Sequence, residues 1–177
     1  YYLKDDPQRG EPLLVLPRSL RDKFEDRLGV KIDGDISPVA RHLLLENYDG
    51  KFEKFPVEKS TFSQRGRRGI AVVPPMDANS QDVSVLIGSE DISKLDKYSE
   101  DDPRILSLNG AFNVGNRGIV ELVEVFKNEI EFLHTIITAT QEKRVPSPGR
   151  HDMIHFDGVI LALCNESEWN RFKSEHT

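Results

Sequence analysis

The sequence predicts an α/β fold, a parallel sheet flanked by helices, from three observations. Short apolar runs stand at Ile70-Ala71-Val72-Val73 and at Val159-Ile160-Leu161-Ala162-Leu163-Cys164, each ended by proline or polar residues, as strands buried in a parallel sheet are. Around them lie segments with apolar residues at helical spacing and definite start and stop signals. The 177 residues suit one domain, because about 100 to 200 residues is the usual domain size.

Taken in order, Glu11-Pro12-Leu13-Leu14-Val15-Leu16-Pro17 is an apolar run between prolines, which predicts a short or edge strand. Leu20, Phe24 and Leu28 recur every four residues up to Gly29, predicting a helix with one apolar stripe and a glycine stop. Ser37-Pro38 offers a capping hydroxyl and a proline at a position whose N–H needs no partner, so a second helix runs through Leu43, Leu44 and Leu45 toward Asp49-Gly50. Val57 and Phe62 suggest a strand, Arg65-Gly66-Arg67-Arg68-Gly69 a basic loop, and Ile70 to Val73 a buried strand ended by Pro74-Pro75. Asn79 or Ser80 is expected to cap a short helix through Val83, Leu86 and Ile87 that stops at Gly88. Tyr98 to Pro103 is acidic and polar and reads as a loop.

Two parses compete from Gly118 to Gln141. Ile119, Leu122, Val123, Phe126, Ile130, Leu133 and Ile137 follow steps of three and four, which allows one long amphipathic helix. Ile119, Val120, Val123 and Val125 are β-branched, which favours a strand at 118–125 and a helix from Lys127 to Glu142. Both stay open on pattern alone. Beyond Lys143, Pro146, Pro148 and Gly149 forbid helix, and Val159 to Cys164 reads as a buried strand opening into the polar Asn165-Glu166-Ser167-Glu168.

Lys and Arg number 24 against 30 Asp and Glu, a net charge of −6. That field repels phosphate at long range and argues against nucleic-acid binding. No apolar run approaches the roughly 20 residues needed to span a bilayer, so membrane insertion is not expected. A lone cysteine, Cys164, excludes an intrachain disulfide framework and a Cys-rich zinc site, and fits a reducing compartment. The start, Tyr1-Tyr2-Leu3-Lys4, has neither an initiating Met nor a signal-peptide profile, so an internal piece of a longer chain is expected.

Open α/β sheets place ligands beyond the carboxyl ends of their strands. Glu124 and Asn165 are the polar residues at such ends. If 118–125 and 159–164 are neighbouring strands, both side chains reach one water, the carboxylate polarising it and the amide orienting it. The alternative is an exposed Glu on a helix and an Asn capping the helix that begins near Glu166. Arg65, Arg67 and Arg68 suit phosphate contacts, or are a solvated loop. His151 and His155 are four apart but lie in a loop or hairpin, where that spacing does not share a face, so zinc is not expected. Cys164 reads as an inert core thiol and Trp169 as a helix anchor. No phosphate-binding loop is encoded: the only Gly-Lys pair, Gly50-Lys51, is followed by Phe52 and has Leu45 where the first glycine belongs.

The stretch Asn116-Arg117-Gly118-Ile119-Val120-Glu121-Leu122-Val123-Glu124 resembles the Walker B region of AAA+ ATPases related to magnesium chelatase. With Ser80 to Ile92, Asp102-Pro103-Arg104, Ala139-Thr140-Gln141-Glu142, Asn165 to Trp169, Gly34-Asp35 and Glu11-Pro12-Leu13, the whole chain is similar to the AAA domain of the bacterial PrkA serine protein kinase family. The resemblance implies an AAA+ core of P-loop type, incomplete because no Walker A segment is present. Residues 1–177 would be the central part of one domain: 1–57 a strand plus helical segment after the missing phosphate loop, 58–177 the Walker B, pre-sensor-1 hairpin and sensor-1 region. On that resemblance 118–125 is a strand, Glu124 the base for the attacking water, and Asn165 the sensor-1 residue that feels the γ-phosphate. It implies ATP and Mg2+ as cofactors of the full-length protein, a protein substrate, a homo-oligomer and a cytoplasmic location, with kinase, remodelling and degenerate-scaffold roles as alternatives. The segment from Lys143 to Asp157 matches a hairpin that faces substrate or an interface. One departure concerns the metal: Val123 stands where the magnesium-holding aspartate is expected, and a regular strand would put Glu121 and Glu124 on opposite faces.

Overall fold

Fifteen short strands and α-helices follow one another along the described residues, which in this computed structural model are 1–75 and 82–176. In chain order they are Tyr2–Leu3 (β1), Arg18–Leu28 (α1), Pro38–Tyr48 (α2), Val57–Glu58 (β2), Ile70–Val73 (β3), Ser84–Ile87 (α3), Ser89–Glu90 (β4) and Leu106–Ser107 (β5). Then come Ala111–Val114 (α4), Ile119–Leu122 (β6), Ile130–Gln141 (α5), Arg144–Val145 (β7), Ile154–His155 (β8), Val159–Ala162 (β9) and Glu166–His176 (α6). Strands β3, β6 and β9 form a parallel sheet in that order, with Ala71, Val120 and Ile160 abreast and Val73, Leu122 and Ala162 abreast. Three antiparallel pairs, β1–β2, β4–β5 and β7–β8, complete the pairing.

The sheet begins at a close backbone crossing. Ile119 donates its N–H to the Gly69 carbonyl at 2.8 Å, and Val159 donates to the Gly118 carbonyl at 2.8 Å. A Cβ on Gly118 would lie 1.9 Å from the Gly69 carbonyl oxygen, so only glycine allows this approach. The strand-then-helix parse is therefore the one adopted: β6 has four residues, a 3-10 turn spans Val125–Lys127, and the helix starts at Ile130.

One face of the sheet carries the main core. Ala71, Val73, Val120 and Leu122 pack with Leu86, Phe112, Val125, Phe132, Ile136, Phe156 and their neighbours from α3, α4, α5 and the hairpin. Phe112 and Phe156 meet edge-on at 5.0 Å. On the opposite face Val72, Ile119, Val159 and Leu161 remain exposed among the described residues, Val159 at 56 %. The expectation of a buried strand at Val159–Cys164 is thus corrected, because β9 is an edge strand with one uncovered face, and Cys164 is exposed rather than a core thiol.

The amino-terminal part builds two smaller clusters, around Leu3, Ala40 and Phe55 and around Leu14, Leu16 and Ile32. Ser37 caps α2 as predicted, its Oγ accepting from the Ala40 N–H at 3.0 Å, with Pro38 in the first turn. Gly29 ends α1 in the left-handed region, at φ 66. Two expectations fail here. Pro12–Val15 is a 3-10 turn rather than a strand, with Pro12 in its first turn and the Glu11 side chain capping it. On α1 the apolar stripe does not face inward: Phe24 and Leu28 are exposed, and the buried residue is Arg21. Its guanidinium donates to the carbonyls of Leu14, Leu16, Ile32 and Gly34, so hydrogen bonding rather than apolar burial seats the helix. Phe62 lies beside a tight hairpin, closed by the Ser63–Arg68 bridge, rather than in a strand. Asn79 and Ser80 lie outside the described residues; the helix they were expected to cap is present at Ser84–Ile87 and stops at Gly88. In the predicted loop Tyr98 to Pro103, the Arg104 fork on Asp102 holds that carboxyl down at about 2 and also stacks over Tyr98 at 4.0 Å.

A buried polar joint ties the two parts. Asp6 accepts from the Gln8 and Gly10 N–H groups and the Ser37 hydroxyl, while Gln8 bonds Asn113 at 2.9 Å and the His155 carbonyl at 3.1 Å. Asn116 donates to the Gln8 carbonyl and accepts from the Asp157 N–H, both at 2.9 Å. Each buried polar group here has a partner, which is the condition for such a joint to hold.

Because Gly118 must sit against the Gly69 carbonyl, Gly118→Ala is expected to destabilise the fold by about 2–4 kcal/mol or more, through displacement of the central strand. Urea denaturation followed by circular dichroism checks this, and an unchanged midpoint would show that the crossing tolerates a side chain.

Candidate functional site

The parallel ladder continues one step past the formal strand ends. Val123 donates to the Val73 carbonyl at 3.0 Å, Leu163 to the Leu122 carbonyl at 2.8 Å, and Val125 to the Leu163 carbonyl at 2.9 Å. Glu124 is thereby fixed at the carboxyl rim beside Leu163, and Asn165 follows two residues after Leu163, in the link between β9 and α6. Glu124 has φ 54 and ψ 48, a left-handed conformation uncommon outside glycine, asparagine and aspartate. That backbone turns the chain sharply out of β6 into the 3-10 turn.

The two side chains do not bond each other; a bridge of two further groups connects them. Asn165 Oδ1 accepts from the Glu168 N–H at 2.9 Å and from the Ser167 hydroxyl at 2.6 Å, capping α6. The capping alternative for Asn165 is thus present, and it coexists with the rim position. The Glu168 carboxylate lies 3.2 Å from Lys127 Nζ, and Lys127 Nζ donates to Glu124 Oε2 at 2.5 Å. The Glu124 carboxylate first, and the Glu168 carboxylate second, raise the Lys127 pKa. The Glu168 side chain is only 7 % exposed, and neither of its oxygens accepts a well-formed hydrogen bond among the described residues. In a capping box an acidic residue at this position folds back onto the cap backbone; here Glu168 turns to Lys127 instead. Sequence reasoning missed Lys127 and Glu168. The available signals were the three-residue spacings Glu124–Lys127 and Asn165–Glu168, which mark pairs on one helical face.

Among the described residues, nothing at the rim makes a magnesium site. Val123 offers no oxygen, and Glu121 stands between Val72 and Leu161 on the uncovered face of the sheet. Among the described residues no group of three or more His, Cys, Asp or Glu is placed to hold a metal.

The basic loop is elsewhere. It precedes β3, at the amino end of the sheet, a full strand length from the rim. Arg67 is spent on structure, its guanidinium donating to the Asn109 carbonyl at 2.7 Å and its own carbonyl accepting from Arg9. His155 lies in β8 and His151 in the link between β7 and β8, the hairpin segment. Trp169 does anchor α6, with its ring 5.1 Å from Phe126, while keeping an exposed edge. A cavity of about 830 Å3 lies between α1, α2 and the hairpin at the amino end of β9. Much of its charge is already paired: Arg21 with carbonyls, Arg18 and Arg41 with Asp35, and Glu25 with the Ile32 N–H.

Comparison with known proteins gives a consistent result. The family model described as the PrkA AAA domain matches residues 1–177. The chain is 38% identical over 175 residues to the ATP-dependent protease PrkA of Bacillus subtilis (strain 168), covering 98% of this chain and 28% of that protein. It is 41% identical over 139 residues to the serine/threonine kinase YeaG of Escherichia coli (strain K12), covering 78% of this chain and 21% of that one. The chain thus spans less than a third of either relative. A solved structure of NtrX from Brucella abortus in complex with ADP is similar over 62% of this chain and 22% of its own, at 17% identity and a TM-score of 0.41. No helix among the described residues is long and apolar enough to cross a membrane.

The half-buried hairpin histidine sets a pH dependence. Burial lowers the His155 pKa from its ordinary 6.5, against the pull of Asp157 and Asp33. The unfolded chain therefore takes up the proton first, so stability is full above pH 6.5 and is lost as pH falls below it. Thermal melts between pH 8 and 5 are expected to show this decline, reduced in His155→Gln; an identical slope in the variant would remove His155 as its source.

Proposed function

The chain belongs to the PrkA AAA domain family, and from that premise we propose that it supplies the hydrolytic edge of an ATP-binding domain. Glu124 is the base for the attacking water and Asn165 the residue that contacts the γ-phosphate. The observation that carries this reading is the emergence of both residues at the carboxyl ends of hydrogen-bonded parallel strands, where open α/β sheets bind ligands. Bound ATP would supply a transferable γ-phosphoryl group. At that place the Glu124 carboxylate accepts a proton from water, and the Asn165 NH2, which makes no hydrogen bond among the described residues, donates to an oxyanion. The sequence holds no phosphate-binding loop, so the cradle for the remaining phosphates would come from outside these residues. The described residues do not fit Mg2+, and no step is assigned to it.

For the whole protein we propose an oligomeric cytoplasmic ATPase acting on protein substrates. The names of the two relatives, kinase and ATP-dependent protease, support phosphoryl transfer and protein remodelling respectively. A second reading, an assembly scaffold with a degenerate site, is favoured by one observation, Val123 in place of the metal-holding acid.

Glu124→Gln in the full-length protein is expected to lower ATP turnover by about 100-fold or more, the scale of a lost general base, with nucleotide binding retained. Unchanged turnover would end the base assignment. Asn165→Asp keeps an oxygen to cap α6 but loses the NH2, so hydrolysis should fall while the melting temperature holds; a normal rate with Asp would restrict Asn165 to capping. Nucleotide titration with and without EDTA separates the two readings: Mg2+-dependent binding with hydrolysis supports the enzyme, and Mg2+-indifferent binding without it supports the scaffold.

A further inference from the structure

We propose that Lys127 and Glu168 form a charge relay that couples Asn165 to Glu124, with Lys127 as a brake on the base. This rests on the assignment of Glu124 as base and extends it to the regulation of the same site. The links are all short: Asn165 Oδ1 to the Glu168 N–H at 2.9 Å, the Glu168 carboxylate to Lys127 Nζ at 3.2 Å, and Lys127 Nζ to Glu124 Oε2 at 2.5 Å. The path runs from amide to acid to ammonium to acid without a gap.

Its energetics favour two positions for the ammonium. While Lys127 sits on Glu124, the positive charge stabilises the ionised carboxylate and lowers its capacity to take a proton from water. Glu168 is a second seat for the same charge. A buried carboxylate is costly unless a cation compensates it; both Glu168 oxygens are buried, and the Lys127 ammonium stands 3.2 Å from one of them. Lys127 already stands between the two acids, and its exposed stem can follow a small shift of either one. Asn165 governs that shift, because its side-chain oxygen holds the backbone of Glu168 in the first turn of α6. When the Asn165 amide turns to an anion at the rim, the first turn of α6 and the Glu168 carboxylate move with it. Lys127 then transfers to Glu168 and Glu124 is released to act. The phenyl and indole rings of Phe126 and Trp169, in contact at 5.1 Å, hold the 3-10 turn of Lys127 against α6 and keep the acids within reach of one ammonium.

The test is steady-state ATP hydrolysis by the full-length protein in four variants. Lys127→Met removes the brake and is expected to raise basal kcat about two- to five-fold with KM unchanged, the scale of one partly exposed ion pair. Glu168→Gln removes the second carboxylate seat and is expected to lower kcat by a similar factor. The double variant should match Lys127→Met, a rescue that loss of packing at Glu168 would not produce. Lys127→Arg keeps the charge and should stay near the parent rate. If Lys127→Met leaves or lowers kcat while Glu124→Gln is inactive, the relay falls and the base assignment stands; if Glu124→Gln is fully active, the base assignment falls first. Lys127 is on the surface, so its variants decide the matter even if Glu168→Gln fails to fold.

Discussion

The backbone of β6 is hydrogen-bonded along both edges, and the rest of the structure is arranged around that constraint. On one side it pairs with β3, on the other with β9, and the ladder extends through Val123 and Leu163. A strand so held cannot rotate or slip without breaking bonds on two fronts, and a slip of one residue would turn Val120 and Leu122 out of the core. The crossing of Gly118 over the Gly69 carbonyl sets where the pairing starts. The left-handed turn at Glu124 sets where it ends. Between those points the register places an acid and an amide at one rim without any contribution from flexible loops.

Charge at that rim is organised differently from charge elsewhere in the molecule. The cations of the amino-terminal part brace the backbone: Arg21 gathers four carbonyls and Arg67 reaches one across the sheet end. Such contacts satisfy polar groups that would otherwise be buried alone. Lys127 instead lies between two carboxylates of unequal exposure, one of them deep in the fold. A structural brace gains from having one well-defined partner. A cation shared between two acids has alternative partners within reach, and that arrangement suits a site whose charge must change during a reaction.

The family relationship and the geometry bear on different parts of the function. Similarity over the whole chain establishes a PrkA AAA domain. It leaves the chemistry of the longer proteins open, since the relatives carry the names of a kinase and a protease and the chain spans 28% and 21% of them. Val123 at the end of β6 offers no side-chain oxygen, and Glu121 stands on the uncovered face of the sheet. Any account of activity in this family member has to begin from that pair of residues.

Local signals were legible in the sequence wherever a single residue type enforces a backbone state. Ser37-Pro38 started a helix, Gly29 and Gly88 stopped helices, and prolines kept 146–149 out of helix, because caps and excluded conformations act within a few residues. Signals that concern neighbours failed. The prolines around Leu13 to Leu16 fit a 3-10 turn as well as a strand, the stripe of α1 gave way to a buried Arg21, and the apolar run at Val159 said nothing about which face would be covered. Gly118 to Gln141 satisfied two periodicities at once, and only pairing with β3 and β9 resolved them. Of the candidate site, Glu124 and Asn165 were nameable from the chain alone, since they stand where apolar runs end. The sequence by itself thus determined the local conformations and the two polar ends; tertiary structure decided their adjacency and supplied Lys127 and Glu168, because hydrogen-bond registry and a shared ammonium depend on groups far apart along the chain.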